Sequence, residues 1–330
     1  MHFRVLAVAA AILLAGPAAA LDEVTFGTNW LAEAEHGGFY QALADGTYEK
    51  YGLAVTIRQG GPRVANRALL TGGQIQLYMG GQTSAIDALQ AGLPTLTLAA
   101  IFQKDPQILM THPDAGFTDF ADLANASKYI LSQVGYISYF AWMKSVYPGF
   151  VDEKYVVYNF SSAGFIADPR AIQQGYVTSE PLAIERETGW APQVFLLADH
   201  GFAPYSTTIE VMRPWYDANR DVAKRFVEAS IIGWYTYLYG DSSAADTLIK
   251  AENPEMTDDQ LAFGRAKMKQ YGIAVSGDAE AGGIGCMTAA RWQGFYEQMQ
   301  AIGLFAAGLD MREAYTTELV CHGLGKELVR

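Results

Sequence analysis

From residue 24 onward the chain repeats one pattern: a short run rich in β-branched and aromatic residues, then a stretch of helical periodicity closed by glycine. The runs 24–28, 54–58, 75–79 and 95–102 read as strands, while 37–44, 62–70 and 83–90 read as helices that stop at Gly46, Gly72 and Gly92. This alternation leaves few folds open, because parallel neighbours need a helical crossover and the helices must then cover the sheet. A second set follows Pro113, with strands at 128–132, 155–159, 175–178 and 194–198 and helices near 137–146, 169–174 and 181–188. Beyond a strand at 207–212 the chain turns helical, over 221–239, 243–251, 258–271 and 288–302.

The expected fold is α/β, with mainly parallel sheets and a helical C-terminal part. A chain of 330 residues is too long for a single compact core, so two lobes are expected. The economical division gives 21–110 to the first part of lobe 1, 111–205 to lobe 2, and 206–330 to a mostly helical completion of lobe 1. In such sheets ligands sit beyond the C-terminal ends of the strands, which makes residues just after strands the site candidates.

Residues 1–20 read as a secretory signal peptide. Arg4 precedes an apolar run over 5–14, which is shorter than the ~20 residues a membrane crossing needs. Ala18, Ala19 and Ala20 then supply the small side chains of a cleavage site, so a cut after Ala20 and export to the periplasm are expected. The formal charge is −12, falling to −13 once Arg4 leaves with the leader, which argues against nucleic acid and anionic membranes as partners. Cys286 and Cys321 both remain after cleavage; in an oxidising compartment they form one disulfide or stay as two separate buried thiols.

The segment Asn29-Trp30-Leu31-Ala32-Glu33-Ala34-Glu35-His36-Gly37-Gly38-Phe39-Tyr40, followed by Asp45-Gly46 and Tyr51-Gly52-Leu53, resembles the periplasmic binding proteins related to thiamine-pyrimidine synthase. The likeness continues through Gly60-Gly61-Pro62, Gln103-Lys104-Asp105-Pro106, Gly175-Tyr176-Val177-Thr178-Ser179-Glu180-Pro181 and Gly233-Trp234-Tyr235. The resemblance implies a type II periplasmic binding protein fold, two lobes that close on a solute and deliver it to the permease subunits of an ABC transporter. It further implies a monomer that binds a small flat nitrogen heterocycle, a thiamine pyrimidine precursor or a flavin, with alkanesulfonate or taurine binding as the alternative.

The residues themselves carry a compatible reading. Trp30 follows the first strand, where an indole either stacks on ligand or packs in the core. His36 precedes Gly37-Gly38, whose bare backbone would let a ligand approach; it either touches ligand or closes a helix end. By the resemblance, Tyr40 belongs with them, and Tyr176 and Glu180 face ligand from lobe 2. Glu180 is either an acceptor for a ligand amine or an acid favoured by its position at a helix start. Gln82 and Thr83 open a helix after the third strand, Gln103 and Gln133 follow strands, Tyr136 comes soon after, and Gly164 lies in a loop that reads as ligand-facing.

No signal for chemistry reaches the same specificity. Histidines 36, 112, 200 and 322 are scattered without a helix-spaced pair, so neither a metal nor another cofactor is expected. Gly282-Gly283-Ile284-Gly285 lacks dinucleotide spacing and reads as a tight turn, and no G-x-S-x-G elbow is present. The cytosolic pyrimidine synthase shares the implied fold, but the synthases carry a dense cysteine cluster that this chain lacks, and a leader would export the protein away from that pathway. A binding protein rather than an enzyme is therefore expected.

Overall fold

The structure, a computed structural model, describes residues 20–61 and 64–329. All but the last residue of the leader expected over 1–20, and the first two residues of the helix expected over 62–70, lie outside the described residues.

Ten strands run in chain order as β1 (Asp22–Gly27), β2 (Leu53–Arg58), β3 (Leu77–Gly81), β4 (Thr95–Phe102), β5 (Gln107–Thr111), β6 (Tyr129–Leu131), β7 (Tyr155–Val157), β8 (Ile172–Tyr176), β9 (Gln193–Leu196) and β10 (Ser206–Met212). They form two five-stranded sheets, ordered β2-β1-β3-β10-β4 and β7-β6-β8-β5-β9. In each sheet four strands point one way and one is reversed: β10 runs against β3 and β4, and β5 against β8 and β9. The reversed strand is in both cases the one by which the chain arrives from the other sheet. The lobes are therefore joined by two crossing segments, 103–106 and 197–205. Because β5 already pairs in the second sheet, the chain changes lobes before Gln107, a few residues ahead of the expected boundary at 110.

Among the strands, two differ from the sequence reading by more than two residues at an end. The short apolar run of β5 gave no periodicity to separate strand from loop, and it was not expected as a strand. The helix expected over 169–174 is a correction: residues 172–176 form β8, a strand between β6 and β5. Its polar Gln173 and Gln174 obscured the strand; both are hydrogen-bonded to neighbouring segments, with Gln173 Oε1 left without a protein partner. Gln173 Nε2 donates to Ser162 Oγ at 2.9 Å, and Gln174 Oε1 accepts from the backbone N–H of Ser132 and the hydroxyl of Tyr139.

The C-terminal helices complete the first lobe. The 20-residue helix Arg220–Tyr239 lies against Gly37–Ala44, and the approach depends on small residues: a Cβ on Gly37 or Gly38 would stand 2.1 Å from the ring of Tyr237 or Trp234. The Gly37-Gly38 backbone, read above as open to ligand, is buried against these aromatics. Phe26 of β1, Phe39, Phe226 and Trp234 pack together beneath the sheet as tilted and edge-on rings.

Cys286 and Cys321 form a disulfide that ties the turn after Asp278–Gly282 to the C-terminal segment. Gly282 makes room for it, since a Cβ there would lie 2.3 Å from Cys286 Sγ. Close by, Arg291 on the helix Ala289–Ala301 reaches both crossing segments. Its guanidinium donates to the carbonyls of Gln103 and Ala203 and lies 4.1 Å from the ring centroid of Tyr205, whose hydroxyl is bonded to Asp278.

Candidate solute-binding cavity between the lobes

The cavity lies where the C-terminal ends of β1, β3 and β4 face the ends of β6 and β8, and it encloses about 300 Å³. From the first lobe, Thr28 follows β1 and shapes the next turn. Its hydroxyl donates to the carbonyl of Trp30 at 2.7 Å and accepts from the Gly60 N–H at 3.1 Å. That turn presents Asn29 and Trp30, then Glu33, Glu35 and His36, to the cavity.

His36 is fully buried. Its Nε2 sits 3.1 Å from Asn29 Oδ1 and its Nδ1 has no protein partner. Burial drives its pKa down to about 3, so the imidazole is neutral. Glu35 accepts the hydroxyl proton of Thr178, a direct bond between the lobes, and burial raises its pKa. Glu33 is pushed well above the usual carboxyl range by burial and then by the charges of Glu35 and Glu180.

The second lobe supplies Tyr176 at the end of β8 and Glu180 at the start of the helix Glu180–Thr188. Glu180 Oε2 accepts from the Tyr176 N–H at 2.7 Å, and Gly175 permits this fold-back because a Cβ there would stand 3.0 Å from that of Glu180. Glu180 thus begins a helix and also faces the cavity. Burial pushes its pKa up to about 7. The Tyr176 hydroxyl is held protonated by the nearby charge of Asp105 on the first crossing segment, by burial, and by Glu33, Glu35 and Glu180.

Phe160 completes an aromatic wall that spans the lobes, its ring centroid 5.4 Å from that of Trp30. It is 61% exposed and holds φ at +63°, a conformation that a bulky side chain adopts only at some energetic cost. Two amides set the remaining polarity. Gln174 spends its Oε1 on Ser132 and Tyr139, which leaves its NH2 for the cavity. Gln107 spends its Nε2 on the Gly175 and Ile108 carbonyls, which leaves Oε1 as an acceptor. Among the described residues no Lys or Arg lines the cavity.

Of the residues singled out from sequence, Trp30, His36, Tyr176 and Glu180 meet in this wall. The others lie outside it. Tyr40 is buried in the core of the first lobe. Gln82 exchanges hydrogen bonds with the Tyr205 backbone, through its own N–H and its Oε1, and Thr83 sits half-buried beside it. Gln103 is buried against the Ala100 and Cys286 carbonyls and Arg291. Gln133 is exposed between the cavity residues Ser132 and Val134. Tyr136 stacks on Tyr155 at 4.2 Å and donates to Asp152, and Gly164 is exposed on its short helix. Glu33, Glu35, Gln107, Gln174, Tyr158 and Phe160 line the cavity and were not singled out. The signal for the first two stood in the quoted Ala32-Glu33-Ala34-Glu35 run directly after a strand. Gln174 becomes visible only once 172–176 is read as a strand.

A two-lobed α/β chain with its cavity between the lobes, at the ends of the strands, has the fold of the periplasmic binding proteins. The family model described as NMT1/THI5 like matches residues 33–240, and the chain belongs to that family. The riboflavin-binding protein RibY of Chloroflexus aurantiacus is 26% identical over 311 residues, covering 92% of this chain and 87% of that protein. Two solved structures share the fold. The periplasmic aliphatic sulphonate binding protein SsuA of Escherichia coli superposes with TM-score 0.63 at 13% identity, over 89% of this chain and 91% of its own. The desulfurization enzyme DSZB does so with TM-score 0.53 at 12% identity, over 93% and 99%. The fold alone therefore does not separate capture from catalysis, and the cavity must be read for itself.

Proposed function

We propose that this protein is the periplasmic solute-binding component of an ABC importer, a monomer that captures a small flat nitrogen heterocycle and performs no catalysis. The observation that carries the reading is the composition of the cavity wall: Trp30, Phe160 and Tyr176 offer ring faces, Glu33, Glu35 and Glu180 offer acceptors, and no described cation lines it. An aminopyrimidine meets both demands, its ring stacking and its exocyclic amine donating to carboxyl oxygens. A sulfonate would meet carboxyl groups where it needs cations or converging N–H donors.

A thiamine pyrimidine precursor comes first because its ring and exocyclic amine match the ring faces and carboxyl oxygens of the wall, and a cavity of about 300 Å³ admits it. A flavin is the second reading, supported by the likeness to RibY. A thermal-shift screen of the purified protein with a hydroxymethyl-aminopyrimidine, riboflavin and taurine tests this. A ligand at about a hundred times its Kd stabilises by roughly 2.7 kcal/mol through mass action. A melting temperature raised by taurine alone would overturn the heterocycle reading.

A further inference from the structure

The acids in the cavity outnumber what a neutral ring needs. Glu33 and Glu35 from the turn after β1 and Glu180 from the second lobe converge on one space, with Asp105 close behind Tyr176. Nearby cations are already engaged: Lys104 lies 2.6 Å from Asp199, and Arg265 is paired with Asp246. Carboxyl groups buried without a cation stay protonated, because an unpaired charge in such a site is expensive. The fully buried His36, with its Nδ1 unpartnered, also lines the cavity and marks a polar position the protein itself leaves unfilled.

Resting on the heterocycle reading above, we propose that the ring is bound as its protonated cation, with Glu180 as both proton source and counterion. The substrates are then weakly basic amino-heterocycles rather than neutral ones. The step balances within the site: the Glu180 carboxyl gives its proton to a ring nitrogen, and the resulting carboxylate faces the cation it has made. Other groups facing Glu180 are poor sources. His36 is neutral, Glu33 is pushed well above the usual carboxyl range by burial and so holds its proton, the hydroxyls of Tyr158 and Tyr176 hold theirs more tightly than free tyrosine, and Glu35 is engaged with Thr178. Only one Glu180 oxygen is taken by the Tyr176 N–H, which leaves the other for the ring.

The test uses the full exported protein and two probes of one shape, 4-amino-5-hydroxymethyl-2-methylpyrimidine and its 4-oxo analogue, which does not protonate near neutrality. The amino form is expected to bind at least about tenfold tighter, as charge-assisted hydrogen bonds exceed neutral ones. Nitrogen-15 NMR of the ring-labelled amino probe should show a protonated ring when bound at a pH where the free probe is neutral. Calorimetry at about pH 8 in buffers of different ionisation enthalpy should find close to one proton taken up, with affinity falling about tenfold per pH unit above the Glu180 titration. Glu180→Gln should leave the bound ring unprotonated and erase the preference for the amino probe, whereas Glu187→Gln, on the exposed side of the same helix, should keep both. Equal binding of the two probes, an unprotonated bound ring, or the same loss in Glu187→Gln overturns the inference and leaves the heterocycle reading standing. Binding of riboflavin alone also overturns it, since that ring is neutral, while import of a heterocycle survives. Stabilisation by taurine with neither pyrimidine bound removes both.

Discussion

Glu180→Gln should stabilise the ligand-free protein, and only above the pH at which a free glutamate ionises. Burial raises the Glu180 pKa from 4.5 to about 7, so between those values the folded chain holds a proton that the unfolded chain has released. Native stability therefore falls as pH rises across that window, with no penalty below it and the full penalty above. At ~1.36 kcal/mol per unit the full penalty is roughly 3 kcal/mol. Glutamine keeps an acceptor for the Tyr176 N–H, which Glu180 Oε2 meets at 2.7 Å, and cannot ionise. Urea unfolding of both proteins at about pH 4.5 and about pH 8 should give a stability difference that grows by roughly 3 kcal/mol toward the higher pH, or about 6 °C in melting temperature. Taking the difference between variant and parent cancels the titration of acids that do not interact with Glu180, and the remaining change belongs to Glu180 together with its neighbours Glu33 and Glu35. An offset that stays constant with pH would refute the argument, because it would mean that Glu180 is ionised at ordinary cost in the folded state.

Trp30→Ala should weaken heterocycle binding by about 1 kcal/mol or more through lost stacking, read by titration calorimetry, and unchanged affinity would remove Trp30 from the ligand's surroundings. The two lobes should close on ligand and lower the radius of gyration in small-angle scattering, since Trp30 and Phe160, 5.4 Å apart, sit on opposite lobes; an unchanged radius at saturation counts against the clamp. Reducing the Cys286–Cys321 bridge, which spans 35 residues, should cost about 3 to 4 kcal/mol on the chain-entropy account, measured as a lower urea midpoint with reductant.

The alternating order of strands and helices was legible because the first-lobe stretches 37–44, 62–70 and 83–90 have helical periodicity and close at Gly46, Gly72 and Gly92 before the next strand. The reversed strands were harder to foresee. Nothing local in the run of β5 says that it pairs antiparallel to two strands that follow it in the chain, by more than sixty and more than eighty residues. For the cavity, the residues that could be named lie immediately after a strand, as Trp30 and Glu180 do. Phe160 escaped because its place depends on a positive φ after a three-residue strand, which no periodicity announces. Gln82 and Gln103 have the right chemistry after the right strands, but the crossing segments consume it: one fastens Tyr205 and the other meets Arg291. A polar side chain beside a hinge has two employers, and sequence alone does not tell which one it serves.

Arg291 gives the two crossing segments a common anchor. One guanidinium group grips the carbonyls of Gln103 and Ala203, so a shift in either segment is felt by the other through a single rigid fork. Two independent straps would allow one lobe to twist over the other as well as to swing. Straps pinned at one point permit chiefly the swing, so the path of closure has a fixed axis. The Trp30 and Phe160 rings then meet in the same register each time the lobes come together. Repeatable recognition of a flat solute would thus be set in part by an arginine that never touches it.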